Sequence, residues 1–185
     1  MRRYITMDET WIHHFIPDTS RESAECRAPG ESAPKRPKTQ QTAGRVMASV
    51  FWDVHGIIFI DYLEHGKIIN SDYYIDLLVR LKAEIIKKRT HLAKKKVLFH
   101  QDNVPCHKSK KSMGKVVEWG FELLLHPPYS PDLAPSYFHI FSDIKKILRG
   151  KRFRSDEEVI AETKTYFEGH DTSFHKTGIE KLEKR

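Results

Sequence analysis

The stretch from Lys96 to Leu125 constrains the fold more than any other part of this 185-residue chain. Lys96-Val97-Leu98-Phe99-His100 is a short continuous apolar run, the pattern of a strand buried on both faces. Phe121 to Leu125 is a second such run, and Lys108 to Trp119 between them is compatible with a helix. Strands covered on both faces need other elements packed above and below the sheet. Upstream, Val46 to Trp52 and Ile57 to Leu63 are apolar, β-branched and aromatic runs around Asp53-Val54-His55-Gly56, a hairpin by length and turn chemistry. Arg2 to Thr6 reads as a strand with Asp8 at its end, and Trp11 to Ile16 as another. The whole is an α/β pattern: three or four strands in a meander, then helix, strand, helix, strand and further helices. It implies a mixed sheet with helices on its faces.

The helices are marked by spacing. Tyr74, Leu77, Leu78, Leu81 and Ile85 fall on one face, with Asn70 or Ser71 as the cap. Phe138, Phe141, Ile144 and Leu148 mark a second helix. Ser155 with Glu158 is a capping box ahead of Val159, Ile160, Tyr166 and Phe167. Residues 17–44 differ, because Pro17, Pro29, Pro34, Pro37, Gly30 and Gly44 forbid regular structure over much of that stretch. A loop this long inside a compact domain is either functional or disordered. No internal repeat or second domain is visible, so residues 1–185 are read as one domain.

Charge points to a polyanionic partner. Lys and Arg number 32 against 25 Asp and Glu, a formal net charge of +7. The basic residues cluster at Lys35, Arg36 and Lys38, at Lys87 to Arg89, at Lys94 to Lys96, at Lys108 to Lys111 and at Lys145 to Arg154. Within these clusters Lys108, Lys110, Lys111, Lys151 and Arg152, with the three in the loop, are the candidate contacts to nucleic-acid phosphate. Any single run also has a plainer reading as a solvated helix face or loop. No apolar run approaches the roughly 18 residues of a membrane span. Cys26 and Cys106 sit in no CxxC pair, which points away from structural zinc and toward a reducing compartment. Cys106, Trp11 and Tyr129 are expected in the core.

In open sheets, ligand sites gather at the carboxyl ends of strands. Asp8 and Asp102 both fall at such ends in this reading. Three stretches around and beyond them resemble the mariner family of DNA transposases: Thr6-Met7-Asp8-Glu9-Thr10-Trp11-Ile12, Phe99 to His107 (Phe-His-Gln-Asp-Asn-Val-Pro-Cys-His), and His126 to Ser136 (His-Pro-Pro-Tyr-Ser-Pro-Asp-Leu-Ala-Pro-Ser). The likeness continues through Gly150-Lys151-Arg152-Phe153 and covers essentially the whole chain. It implies a ribonuclease-H-like fold with a five-stranded mixed sheet flanked by helices. It implies, too, divalent-metal chemistry on DNA, in which transposon ends are cleaved and the freed 3′ hydroxyl is joined to a TA target. A homodimer acting on nuclear DNA is part of the same expectation. Family members carry paired helix-turn-helix domains that read the transposon ends. This chain begins just before the first catalytic strand, so those domains are expected to be absent and DNA binding to lack sequence preference.

The resemblance also implies three carboxylates holding two Mg²⁺ or Mn²⁺ ions, which stabilise the attacking and leaving oxygens of a phosphodiester. Asp8 matches the first and Asp102 the second. The third should follow Leu-Ala-Pro-Ser, with 34 residues between it and the second; that position here is Tyr137. A phenol is neutral near pH 7 and a weak ligand for a hard cation. Asp143 lies about 9 Å farther up an ideal helix and about 240° around it, Asp132 is a turn former, and His139 is a soft ligand. None replaces the missing group. One ion is therefore expected between Asp8 and Asp102, and poor binding of a second. Glu9 and Asn103 are expected to orient the metal ligands. His100 and His107 flank Asp102, but no spaced Cys/His set supports zinc.

The expected function is thus a mariner-type catalytic domain with degenerate activity. The alternatives are a one-metal nickase, a non-enzymatic DNA-binding or dimerisation module derived from a transposon, and a relic without function.

Overall fold

The structure is a computed structural model, described here for residues 3–17, 44–93 and 95–184. Almost all of the 17–44 loop, with Cys26, Lys35, Arg36 and Lys38, lies outside the described residues. Five strands form one sheet in the order β3-β2-β1-β4-β5. They are β1 (Tyr4–His13), β2 (Arg45–Asp53), β3 (Gly56–Leu63), β4 (Val97–His100) and β5 (Phe121–Leu124). The first three run antiparallel as a meander, while β4 is parallel to β1 and β5 parallel to β4. The mixed five-stranded sheet is the one expected.

Alternation along β1 and β2 divides the core into two layers. Ile5, Met7 and Phe51 face α1 (Ser71–Lys88), meeting its buried stripe of Tyr74, Leu77, Leu78, Leu81 and Ile85. Tyr4, Ile12, Val46, Val50 and Trp52 face the opposite layer, packing against Ile140, Ile144, Leu148, Val159 and Ile179. That second layer holds a six-residue π-helical turn (Ser136–Phe141) running into α4 (Ser142–Leu148), then α5 (Asp156–Glu168) and α6 (Thr172–Glu180). Two shorter elements, α2 (Pro105–Lys108) and α3 (Lys110–Glu118), connect β4 to β5.

Local signals act as read. Asn70 caps α1 by accepting from Tyr73 N at 2.9 Å, and Ser155 caps α5. The β2–β3 turn needs Gly56, whose φ is +126°. Arg89, just past α1, grips Asp53 at the base of this turn with bonds of 2.7 and 3.0 Å.

Several readings are corrected. The two strands expected around Asp8 are one ten-residue strand, because Thr6 through His13 pair without interruption with Trp52 through Arg45. Asp8 therefore lies inside a strand. The helix expected over 108–119 breaks at Ser109, whose hydroxyl instead accepts from Ser112 N at 3.1 Å and starts α3. β5 is not covered on both faces: it is the sheet edge, with Glu122 and Leu124 exposed. The apolar stripe 138-141-144-148 shifts, since the wider π-helical turn buries Ile140 and leaves Phe138 half-buried. Trp11 and Tyr129 are exposed rather than core, and Cys106 is half-buried. Tyr129 adopts φ +56°, a left-handed conformation uncommon outside glycine.

Candidate functional site

Strand register brings the two aspartates together. β1 and β4 pair Tyr4 with Leu98 and Thr6 with His100, and Asp8 and Asp102 each follow two residues beyond the last of these pairs. β4 ends at His100, so beyond Thr6 the β1 backbone has β2 on one side only, and a cleft opens where β4 leaves off. Asp8 and Asp102 line a cavity of about 390 Å³ in this cleft. Asn103, His126, Tyr129 and Tyr137 complete much of its wall.

The cavity concentrates negative charge. Burial raises the Asp8 pKa to about 7, helped by the charges of Glu9 and Asp102; a hydrogen bond from Glu9 N at 2.8 Å opposes the shift. Burial acts on Asp102 in the same direction, but a hydrogen bond and the charge of His107 outweigh it and hold the carboxyl below its usual range. His107 is fully buried between two carboxylates. Its Nδ1 donates to Asp102 Oδ1 at 2.7 Å and its Nε2 to Glu9 Oε1 at 3.1 Å. Burial alone would lower the His107 pKa; hydrogen bonds to Asp102, Cys106 and Glu9, with the Glu9 charge, instead push it up to about 12. The ring also packs on Tyr74, with centroids 4.1 Å apart.

Among the described residues, Glu9, Asp102 and His107 form a group whose ligand atoms lie within 4.8 Å of one another. Protonated between two carboxylates, the imidazole has two donors and no lone pair, and the trio then acts as an ion-pair chain. The donors that suit a hard divalent cation are the Asp8 and Asp102 carboxylates. A cation between them would offset the cost of burying the Asp8 charge, the main cause of its raised pKa, and the smaller repulsion from Glu9 and Asp102.

A second polar chain braces the floor. Tyr4 OH and His100 Nδ1 are 2.7 Å apart, and His100 Nε2 is 3.0 Å from His126 Nδ1. Burial, with the charge of His126, lowers the His100 pKa to about 4, so the ring is neutral. Asn103 donates to His126 O at 2.6 Å. It thus ties the segment after β4 to the segment after β5, rather than bonding to Asp8 or Asp102.

Tyr137 stands on the π-helical turn, 54% exposed, with its side chain on the cavity wall. The groups weighed as substitutes for a carboxylate at this position do not line the cavity. Asp143 accepts from Tyr166 OH at 3.1 Å on the α5 side. His139 is buried and donates from Nε2 to Phe174 O at 2.9 Å. Asp132 lies on an exposed turn and does not line the cavity.

The candidate phosphate contacts are dispersed. Lys108 and Lys110 are exposed, and Lys111 pairs with Asp72 at 3.1 Å. Lys151 pairs with Glu162, and the Arg152 guanidinium lies 4.1 Å over the Phe15 ring. Sequence reasoning weighed His107 only as a zinc ligand and missed its bridging role. Lys145, grouped there with a basic run, is half-buried on α4, where the Asp8 charge acts on it.

Comparison with known proteins places this geometry. A family described as "Transposase (partial DDE domain)" matches residues 16–95. The human protein named histone-lysine N-methyltransferase SETMAR is 33% identical over 97% of this chain and 26% of its own length. The Mariner Mos1 transposase of Drosophila mauritiana is 31% identical over 100% of this chain and 53% of its own. The chain thus spans about a quarter and about half of these two relatives. A Mos1 paired-end complex with the left transposon end superposes with a TM-score of 0.90 at 31% identity, covering 100% of this chain and 53% of that one. The Mos1 catalytic domain with raltegravir and Mg superposes at 0.80 with 30% identity, covering 99% of this chain and 79% of that one.

Proposed function

From the premise that this chain belongs to the mariner transposase family, in its catalytic-domain part, we propose that it binds DNA and holds one divalent cation, Mg²⁺ or Mn²⁺, between Asp8 and Asp102, with strand cleavage impaired by Tyr137. The observation that carries this reading is that Asp8, Asp102 and the Tyr137 phenol line one cavity. A bound cation would act as a Lewis acid on a phosphodiester oxygen and help form the attacking hydroxide.

The protein's own groups do the rest. His107 holds Asp102 in one orientation and keeps it ionised by a charge-assisted bond. Glu9 fixes the other side of that ring, so it supports Asp102 at one remove. Asn103 and the Tyr4–His100–His126 chain keep the cavity floor in place. Tyr137 adds a neutral, bulky group where a second ion would need an anionic oxygen. Exposed Lys108 and Lys110 supply charge for phosphates without sequence information. Dimerisation and a nuclear location belong to the same reading, as properties of a domain acting on chromosomal DNA.

The test is nicking of supercoiled plasmid with Mg²⁺ or Mn²⁺. Tyr137→Asp should raise metal-dependent nicking on the order of a hundredfold. Asp102→Ala in that background should abolish the gain. Equal rates for the original and restored chains would clear Tyr137 of the defect. Failure of both to cut, with salt-sensitive DNA binding retained, would favour a non-enzymatic DNA-binding module, the reading that the exposed basic residues support on their own.

A further inference from the structure

His126 follows β5 by two residues, and its half-buried side chain lines the cavity that holds Asp8, Asp102 and Tyr137. The residue is held at two points. Its Nδ1 lies 3.0 Å from His100 Nε2, and its backbone carbonyl accepts from the Asn103 side chain at 2.6 Å. His100 Nδ1 in turn lies 2.7 Å from the hydroxyl of Tyr4, and Tyr4 and His100 are both buried. Side chains from β1, β4 and the segment after β5 thus form one line of hydrogen bonds from the core to the cavity.

The direction of the hydrogens along this line follows from its buried end. A phenol donates strongly and accepts weakly, because its oxygen lone pair is delocalised into the ring, and a buried hydroxyl that donates to nothing is costly. Tyr4 therefore donates to His100 Nδ1; Thr6 Oγ1, 3.4 Å from the same nitrogen, is the longer contact. With Nδ1 accepting, the hydrogen of the His100 ring is on Nε2 and points at His126 Nδ1. His126 Nδ1 then accepts as well, which places the His126 hydrogen on Nε2, on the far side of the ring from His100. Among the described residues, His126 Nε2 has no hydrogen-bond partner.

We propose that His126 is a substrate-contact residue whose Nε2–H donates to a non-bridging oxygen of a DNA phosphate brought into the cavity, with the Tyr4–His100 line fixing the tautomer that lets it do so. This rests on the reading of the cavity as a site of metal-dependent DNA cleavage. The same tautomer leaves no lone pair on Nε2, so His126 does not stand in for the carboxylate missing at 137. A neutral donor suits this wall. It adds a hydrogen bond to an anionic oxygen without a positive charge that would oppose a cation at Asp8 and Asp102. Asn103, which tethers the backbone of His126 rather than its ring, is a positioning residue in this arrangement.

The test has two independent readings. In the full chain with isotope-labelled histidine, the ring-nitrogen NMR shifts of His126 should show hydrogen on Nε2 and none on Nδ1. The Nε2 signal should move when a short DNA duplex is added with Mg²⁺. Hydrogen on Nδ1, or an Nε2 signal that the duplex does not move, overturns the proposal whatever the cleavage rates. The second reading is single-turnover nicking of supercoiled plasmid with Mn²⁺ in the Tyr137→Asp background. An asparagine amide reaches the Nδ1 position, and a glutamine amide reaches the Nε2 position. His126→Asn should therefore slow nicking about tenfold or more, as expected for losing a hydrogen bond to a charged group, and His126→Gln should recover most of that loss. Equal rates for these two variants would mean that the ring only fills space, and the donor role would be overturned. If the Tyr137→Asp chain does not nick while the duplex still moves the Nε2 signal, the cleavage reading fails and the phosphate contact stands. Melting temperatures of the two His126 variants separate a lost contact from lost folding.

Discussion

His107 donates to Asp102 across 2.7 Å from a fully buried ring, so an aspartate on the cavity wall is oriented from beneath by a charge that solvent does not reach. The same ring reaches Glu9 on β1, and one side chain thereby locks α2 to the central strand. Four consequences of this packing are measurable.

Replacing His107 with Gln should destabilise the domain by about 3–5 kcal/mol, because Asp102 and Glu9 would face each other without the cation between them. The check is a denaturant titration of both proteins. A loss below about 1 kcal/mol would mean that the ring is neutral in the folded protein.

Arg89→Ala should cost a similar amount, again about 3–5 kcal/mol. Arg89 and Asp53 are 13% and 2% exposed, and the guanidinium makes two bonds to one carboxylate. The second variant Asp53→Asn, combined with Arg89→Ala, should recover part of that loss in a double-mutant cycle. Additive losses would show the pair to be uncoupled.

Gly178→Ala should destabilise by about 1–3 kcal/mol even though alanine is the better helix former. A methyl at 178 would lie 2.2 Å from Cδ2 of His139, whose ring is stacked on Phe174 and bonded to Phe174 O. Gly114 in α3 is the control, since a Cβ there meets nothing within 4 Å. Gly114→Ala should stabilise by about 0.4–1 kcal/mol. Opposite signs in thermal melts are the expected result, and equal signs would contradict the close approach.

His139 and His175 should each take away stability as pH drops below about 6.5, against an opposite contribution from Asp8, whose raised pKa favours the folded state as pH falls below about 7. Burial lowers the pKa of His139 and of His175, whose rings both lie near Trp52, so each takes up a proton less readily in the folded state than in the unfolded chain. At these two residues the unfolded chain then binds more protons below the ordinary histidine value of about 6.5, and their contribution to stability rises with pH across that window. His175→Gln should flatten the dependence of melting temperature on pH between 7 and 5. An unchanged slope would assign the acid sensitivity to other groups.

Much of the fold was legible because its signals are local. The α1 stripe, the Asn70 cap, the β2–β3 hairpin and the Ser155 cap each depend on residues a few positions apart, and each appears where spacing put it. Readings failed where a distant partner decided. Polar Asp8 and Glu9 looked like a strand end, yet β2 pairs with β1 from Thr6 to His13 and keeps it extended. Phe121 to Leu125 looked covered on both faces, but its place at the sheet edge leaves Leu124 and Leu125 in solvent.

The candidate site divides in the same way. The sequence by itself determined the residue types: two aspartates in strings that resemble one family, and a tyrosine where that resemblance implies a third carboxylate. Only the tertiary structure decided who touches whom. His107 is five residues from Asp102 but 98 from Glu9, and its charge exists because both carboxylates close on it. Residue type is written in the chain, but burial and electrostatic neighbours arise only when segments far apart in sequence share one low-dielectric interior.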